Sequence, residues 1–282
     1  MGKAAVDSLF EPHQDEFVWD SDDLATHVPS GGPTDHILPR ERARASFETE
    51  SLRVTIAGTK RSKNVADFRG LFETEAFDSD MDDFLGYPEL AEKQIERAAA
   101  AIKIIRENPK LMVQHMAQNV AMADMFDTGA LGIHFIAYLP FLETQANDEQ
   151  KKAWLEGARM FQYNGAYAQT ELGHGSNVRA LETTATFNKE TDEFIINSPT
   201  LTSMKWWPTG MYASTHGVVF AQLIIDGSSH GVFGFFMQFR DEKGDLMPGV
   251  EIGEIGPKMG GSETNIGYGR FDHVHIPRFN SE

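Results

Sequence analysis

The sequence predicts an α+β fold in which helices come first and strands follow. Three observations carry that reading. Apolar residues recur at helical spacing between about residues 39 and 160. Beyond Phe161, short runs rich in β-branched and aromatic residues alternate with turn residues. The two patterns are segregated rather than interleaved, which argues against a doubly wound nucleotide-binding sheet. The expected division is a mobile leader over 1–38, a helical N-terminal domain over 39–160 and a β-rich middle domain over 161–282.

The leader holds Pro12, Pro29, Gly31, Gly32 and Pro33 among many acids, a composition that does not build a core. A first helix falls within RERARASFETESLRVTIAG and stops at Gly58, a common C-terminal punctuation. A second begins near Pro88, because proline is tolerated in a first helical turn. It sets Ile95, Ala98, Ile102 and Ile105 on one face and ends at Asn108-Pro109. A third shows Val113, Met116, Val120 and Ala123 at the same spacing and ends near Gly129. Residues 131–142 read as a buried helix whose length Pro140 limits, and Asn147 or Asp148 caps a short helix ending near Gly157. Strands are expected over 183–187, 194–197, 217–225 and 232–239, with 188–193 and 241–249 as connections. His273 and His275 alternate in a probable strand, so their side chains should share a face.

Composition narrows the function. The 282 residues suffice for about two domains, and no apolar run approaches the ~20 residues of a membrane-spanning helix. The N-terminus MGKAAVDSLFEPHQDEF lacks a signal-peptide core. A net charge of −17, from 42 acids against 25 bases, repels nucleic acid and anionic lipid. The absence of cysteine excludes disulfides, thiolate zinc sites and cysteine nucleophiles. Lys60, Arg61 and Lys63 form a basic cluster that could collect phosphates, although a solvated loop explains them better. No P-loop, H-E-x-x-H, G-x-S-x-G or G-x-G-x-x-G pattern occurs. Asp78, Asp80, Asp82 and Glu89 fit four positions of a calcium loop. The sixth position, however, is Asp83 where the turn wants glycine, so an exposed acidic connection is expected and no metal site. Met112, Met116, Met122 and Met125 read as core filler.

The chemistry-bearing stretch is YNGAYAQTELGHGSNVRALETTATF, from Tyr163. Its core places a hydroxyl, an acid and two glycines directly after a strand-like GAYAQ. Gly173 and Gly175 let the backbone curve and present N–H groups to an electron-rich ligand. Thr170 can donate and accept a hydrogen bond, which suits the polar edge of a flavin ring. Thirty-six residues on come Trp206-Trp207-Pro208, whose indoles could line a flat aromatic cofactor.

Together, AQTELGHGSN, LETTATF, NSPT, KWWP, IGPKMG and DHVHIPR, in this order and spacing, resemble the acyl-CoA oxidases. The resemblance is strongest over residues 163–278 and extends back toward Pro39 through ERARASFETE. It implies an N-terminal helical domain, then an antiparallel β-barrel-like middle domain against which FAD lies. Thr170 falls on the family's flavin-contacting threonine with Gln169 beside it, and Gly175 lies in the same turn. Ser176 falls where related dehydrogenases use a serine near cofactor and thioester, so it is the substrate-binding candidate. The second flavin contact falls on Thr209, where oxidases usually have glycine; a main-chain bond could serve there, and Gly210 follows at once. Trp206 and Trp207 would flank the ring.

The implied reaction is α,β-dehydrogenation of a fatty acyl-CoA to the trans-2-enoyl ester. A carboxylate takes the α-proton, a hydride goes to the flavin, and dioxygen reoxidises the flavin to give hydrogen peroxide. The family's glutamate base belongs to a C-terminal helical domain that is expected to be absent, since the chain ends at Asn280-Ser281-Glu282. No catalytic residue is therefore assigned, and Glu171 reads as structural. The resemblance further implies a peroxisomal protein and, for the full-length family, a homodimer, although the terminus is not an S-K-L-type address. An acyl-CoA dehydrogenase is a rival that GHGSN and KWWP argue against. A non-catalytic relative binding acyl-CoA or a partner is the other.

Overall fold

The computed structural model describes residues 43–63, 75–77, 82–108, 130–259 and 266–281. The expected leader over 1–38, the helix expected over 113–129 with its methionines, and Asp78 and Asp80 lie outside the described residues. The chain divides between Ser62 and Lys63 into two compact units. In the first, helix α1 (Thr49–Ala57) ends as expected at Gly58, whose φ of 80° is easy only for glycine. Its N–H donates to the Val54 carbonyl, and Arg53 reaches the Ser62 carbonyl at 2.8 Å. Lys60, Arg61 and Lys63 are exposed.

The second unit opens its described helices with α2 (Tyr87–Glu107), which carries Pro88 in its first turn and Asn108 as its C-cap. Its buried residues are Gln94, Arg97, Ala101 and Ile105, while Ile95 is 58% exposed. The inward face is thus rotated from the one that the apolar spacing suggests. The cause is Arg97, which lies inside because Asp82 accepts from both its terminal guanidinium nitrogens; Lys93 joins the same carboxylate at 2.7 Å. Helix α3 (Ala130–Ile133) runs through a π-helical turn, His134–Tyr138, into α4 (Leu139–Gln145). The wider turn lets Leu139 N–H reach back to the His134 carbonyl just before Pro140, which has no N–H to give. Helix α5 (Asp148–Arg159) begins with a reciprocal cap, Gln150 N–H to Asn147 Oδ1 at 3.0 Å and Asn147 N–H to Gln150 Oε1 at 2.9 Å. Among the described residues, no helix is long and apolar enough to cross a membrane.

Strands follow the helices. They are β1 (Gly165–Ala168), β2 (Thr184–Asn188), β3 (Glu193–Asn197), β4 (Lys205–Thr209), β5 (His216–Ile225), β6 (Ser228–Gln238), β7 (Val250–Glu254), β8 (Ile266–Phe271) and β9 (Val274–Pro277). One sheet runs β1-β5-β2-β3-β9 with β6 added to β5, and a second runs β4-β8-β7. Pairing is antiparallel, as expected, except that β1 and β2 both run parallel to β5. These two short strands share one edge of β5, since β6 holds the other. The chain leaves that edge after Ala168, opposite Val219, and rejoins it at Thr184, opposite Gln222. Residues 169–183 therefore form an excursion out of the sheet, and this gap in the β5 edge positions the site described below.

His273 and His275 do not share a strand. His273 sits at φ 50° in the turn before β9 and pairs with Asp272, while His275 in β9 reaches Glu193 across to β3. Among the described residues no three potential ligands cluster for a metal ion.

Helices and strands meet around His134, which is fully buried. Its Nδ1 accepts from the Gly165 N–H at 2.9 Å, and its Nε2 lies 3.0 Å from the Ala158 carbonyl. A donor on one side and an acceptor on the other fix the neutral Nε2–H tautomer. Gly165 allows the close approach, because a Cβ there would lie 2.3 Å from the Tyr138 ring. Burial pulls the His134 pKa down to about 4, partly offset by the bond to Ala158, and burial takes His216 down to about 4 as well. Between pH 6.5 and 4 the unfolded chain therefore binds more protons than the folded one, so stability drops as pH falls through that window. Urea unfolding should show His134 alone removing about 2 kcal/mol between about pH 7.5 and pH 5. A stability independent of pH over that range contradicts the buried neutral imidazole.

Candidate functional site

The excursion over 169–183 would be a floppy loop were its ends not tied together. Glu171 ties them. Its Oε1 accepts from Thr183 N–H at 2.9 Å and Thr183 Oγ1 at 2.6 Å, and its Oε2 accepts from Glu182 N–H at 2.8 Å. The fourth donor is Lys205 Nζ, 3.0 Å from Oε1, with both side chains wholly out of water. Lys205 has two further acceptors, the carbonyls of Gln169 at 3.2 Å and Phe220 at 2.7 Å. One ammonium thus links β4, β5 and the excursion. Burial lowers its pKa, against the pull of Glu171 toward the charged form. Glu171 is 2% exposed and fully engaged, which fits a structural residue and not a proton-abstracting base.

The near limb of the excursion runs antiparallel to the segment entering β4. Trp206 N–H donates to the Thr170 carbonyl at 3.0 Å, Leu172 N–H to Met204 at 2.9 Å and Gly173 N–H to Thr202 at 2.9 Å. Glu171 and His174 close a tight turn by exchanging backbone bonds at 3.1 and 3.0 Å. Gly173 is required there, since a Cβ would lie 2.9 Å from Thr202 Cβ. After this anchored turn comes the exposed arch Gly175-Ser176-Asn177, followed by a 3-10 turn, Val178–Ala180.

The structure thus pairs Thr170 with Trp206, two of the separate sequence candidates. Gln169 and Thr170 are half-buried beside Trp206, whose indole stacks on Tyr268 with centroids 6.2 Å apart. Trp207 is 52% exposed and has φ 76°, a left-handed conformation costly for a tryptophan, at a bulge where the β4–β8 register shifts. The bulge turns this indole outward. Thr209 regains the ladder opposite Ile266, and Gly210, at φ 74°, starts the turn Met211–Ala213. Ser176 stands exposed on the arch.

Two family models divide the chain between them. Residues 49–164 match the one described as acyl-coenzyme A oxidase N-terminal, and residues 166–274 match the acyl-CoA dehydrogenase middle domain. Peroxisomal acyl-coenzyme A oxidase 1 of Arabidopsis thaliana is 39% identical over 256 residues, covering 86% of this chain and 37% of the relative. The chain belongs to the acyl-CoA oxidase family. The human peroxisomal acyl-coenzyme A oxidase 1 is 35% identical over 249 residues, again with 86% and 37% covered. The solved Arabidopsis acyl-CoA oxidase 1 has a TM-score of 0.74 at 36% identity, covering 86% of this chain and 38% of its own. Acyl-CoA oxidase-2 of Caenorhabditis elegans, solved with FAD, ascaroside-CoA and ATP bound, has a TM-score of 0.76 at 32% identity over 86% and 38%. The chain spans a little over a third of the length of these relatives.

Lys205, Thr183, Glu182 and the pair Thr200 and Thr202, which hold the excursion in place, are not among the sequence candidates. A lysine opening an apolar strand is the one signal that pointed inward. Replacing Lys205 with Met should destabilise the chain by about 3–5 kcal/mol, because Glu171 is left buried without its counter-charge. Adding Glu171→Gln should restore much of that loss in urea unfolding. Strictly additive losses in the double variant contradict the pairing.

Proposed function

We propose that this chain supplies the FAD-holding face of an acyl-CoA oxidase acting on fatty acyl-CoA, with dioxygen as the electron acceptor. The observation that carries the proposal is the backbone pairing of Thr170 with Trp206, which brings the two sequence candidates for flavin contact into one surface. That surface suits a flat, hydrogen-bonding ring. Thr170 would offer a hydroxyl and Gln169 an amide to it, Trp206 and Trp207 would offer aromatic surface, and the Thr209–Gly210 backbone follows at the end of the same strand. The substitution of Thr for the family's glycine at 209 leaves the main chain available there.

The arch supports the same reading. No acceptor among the described residues meets the N–H groups of Gly175, Ser176 or Asn177, so they are free for an electron-rich ligand. Gly175 has no positive φ, and a Cβ on it would meet nothing within 4 Å. The fold itself does not need glycine there, whereas a ligand lying against the backbone would. Ser176 is the candidate for contact near the thioester.

When bound, FAD would supply the hydride acceptor for α,β-dehydrogenation to the trans-2-enoyl-CoA, with hydrogen peroxide released on reoxidation. The protein's share is to position the thioester and exclude water. The proton-abstracting carboxylate is not Glu171, whose four donors leave it no room to accept a proton. A peroxisomal site of action follows the relatives' names.

The test is a titration of the chain with FAD, followed by flavin fluorescence. Saturable binding is expected, and Gly175→Val should weaken it about tenfold or more while leaving the melting temperature unchanged. No binding, or equal affinity for both proteins, overturns the assignment. Rapid reoxidation of the photoreduced complex by air is expected of an oxidase; slow reoxidation would favour a dehydrogenase.

A further inference from the structure

Glu182 lies at the surface, where water alone would satisfy a carboxylate, and yet it collects side chains from two other segments. Thr200 Oγ1 donates to its Oε2, Thr202 Oγ1 reaches its two oxygens at 3.0 and 2.9 Å, and His174 Nε2 lies 2.9 Å from Oε1. Those hydrogen bonds, from Thr200 first and then His174 and Thr202, hold its carboxyl below the ordinary glutamate value. The threonines are themselves fixed. Ser203 and Thr200 exchange side-chain and backbone bonds at 2.7–3.0 Å, and the Thr202 carbonyl takes the Gly173 N–H.

The geometry follows from where these groups sit. His174 is the residue immediately before the arch Gly175-Ser176-Asn177, and Glu182 is the residue by which the excursion returns to Glu171. Glu171 closes the excursion from inside. It does not, however, reach the outer corner, where, among the described residues, the His174 ring and the Leu172 and Gly173 backbone bonds hold the turn to the rest of the fold. The His174–Glu182 contact ties the residue before the arch to the segment carrying Thr200 and Thr202, so the arch departs from a point held by a side chain as well as by backbone bonds.

We propose that Glu182 is a positioning residue for the cofactor: acting through His174, and braced by Thr200 and Thr202, it fixes the arch in the shape that receives FAD. This rests on the functional reading above, and it adds a residue that touches neither ring nor substrate.

The test compares FAD affinity across variants of the full chain. Glu182→Ala should raise the dissociation constant about tenfold with little change in melting temperature, because the group is half-exposed at the surface. Glu182→Gln is the informative partner. Its carbonyl can still accept from the threonines and its amide can donate to the other tautomer of His174, so geometry is kept and charge is lost. It should bind FAD within about threefold of the unsubstituted chain. His174→Ala should reproduce the Glu182→Ala loss, and the double variant should be no weaker than either single one. An unchanged dissociation constant for Glu182→Ala overturns the proposal, as does a Glu182→Gln variant as weak as Glu182→Ala, which would make charge the active element. Failure of the unsubstituted chain to bind FAD at all overturns the functional reading and this inference with it.

Discussion

A carboxylate and an ammonium, both removed from water, stand where two sheets and an excursion of the chain converge. Taking Glu171 and Lys205 out of solvent costs several kcal/mol for each ion, and their attraction offsets this because the carboxylate accepts three further hydrogen bonds and the ammonium donates two. A hydrophobic pair of the same size would cost less. What it would not do is bind Thr183, Glu182, Gln169 and Phe220 at fixed directions, and it is those directions that hold β4 beside the near limb of the excursion. The surface formed by Thr170, Trp206 and Trp207 exists because that limb is paired with β4.

Around this pin, rigidity is graded. The turn from Glu171 to His174 is fixed by backbone bonds on both sides, the outer corner also by the Glu182 carboxylate, and the arch N–H groups at 175–177 have no acceptor among the described residues. Such a gradient suits a binding element, in which free N–H groups must be aimed but not already used. The strained Trp207 fits the same scheme. Its left-handed backbone and half-exposed indole go against local preference, and strain of this kind persists where the surrounding structure holds it for a purpose. At the other end of β1, the neutral His134 ties helix to strand, so the strand that leads into Gln169 and Thr170 is fixed before it leaves the sheet.

Much of this was legible in the sequence because local rules govern it. Gly58 stops its helix, Pro88 opens one, Asn147 caps another, and the switch from helical to alternating patterns marks the passage from helices to strands. The candidate flavin residues were legible through their resemblance to acyl-CoA oxidases, and their meeting in space is what the structure adds. What escaped depends on partners far apart along the chain. Ile95 faces out because Arg97 finds Asp82, the parallel pairing of β1 and β2 depends on β5, 51 residues beyond the one and 38 beyond the other, and nothing near Glu171 announces that its counter-ion is Lys205. His273 was misplaced because it is itself the turn residue at positive φ that directly precedes the strand holding His275.

Hydrogen–deuterium exchange of the chain with and without saturating FAD tests the central claim most directly. The account predicts that FAD slows exchange at the amides of 175–179 and at Trp207 and Gly210, while helix α2 exchanges at the same rate in both states. Protection spread evenly over the sheets, or confined to segments outside the excursion and β4, would contradict it.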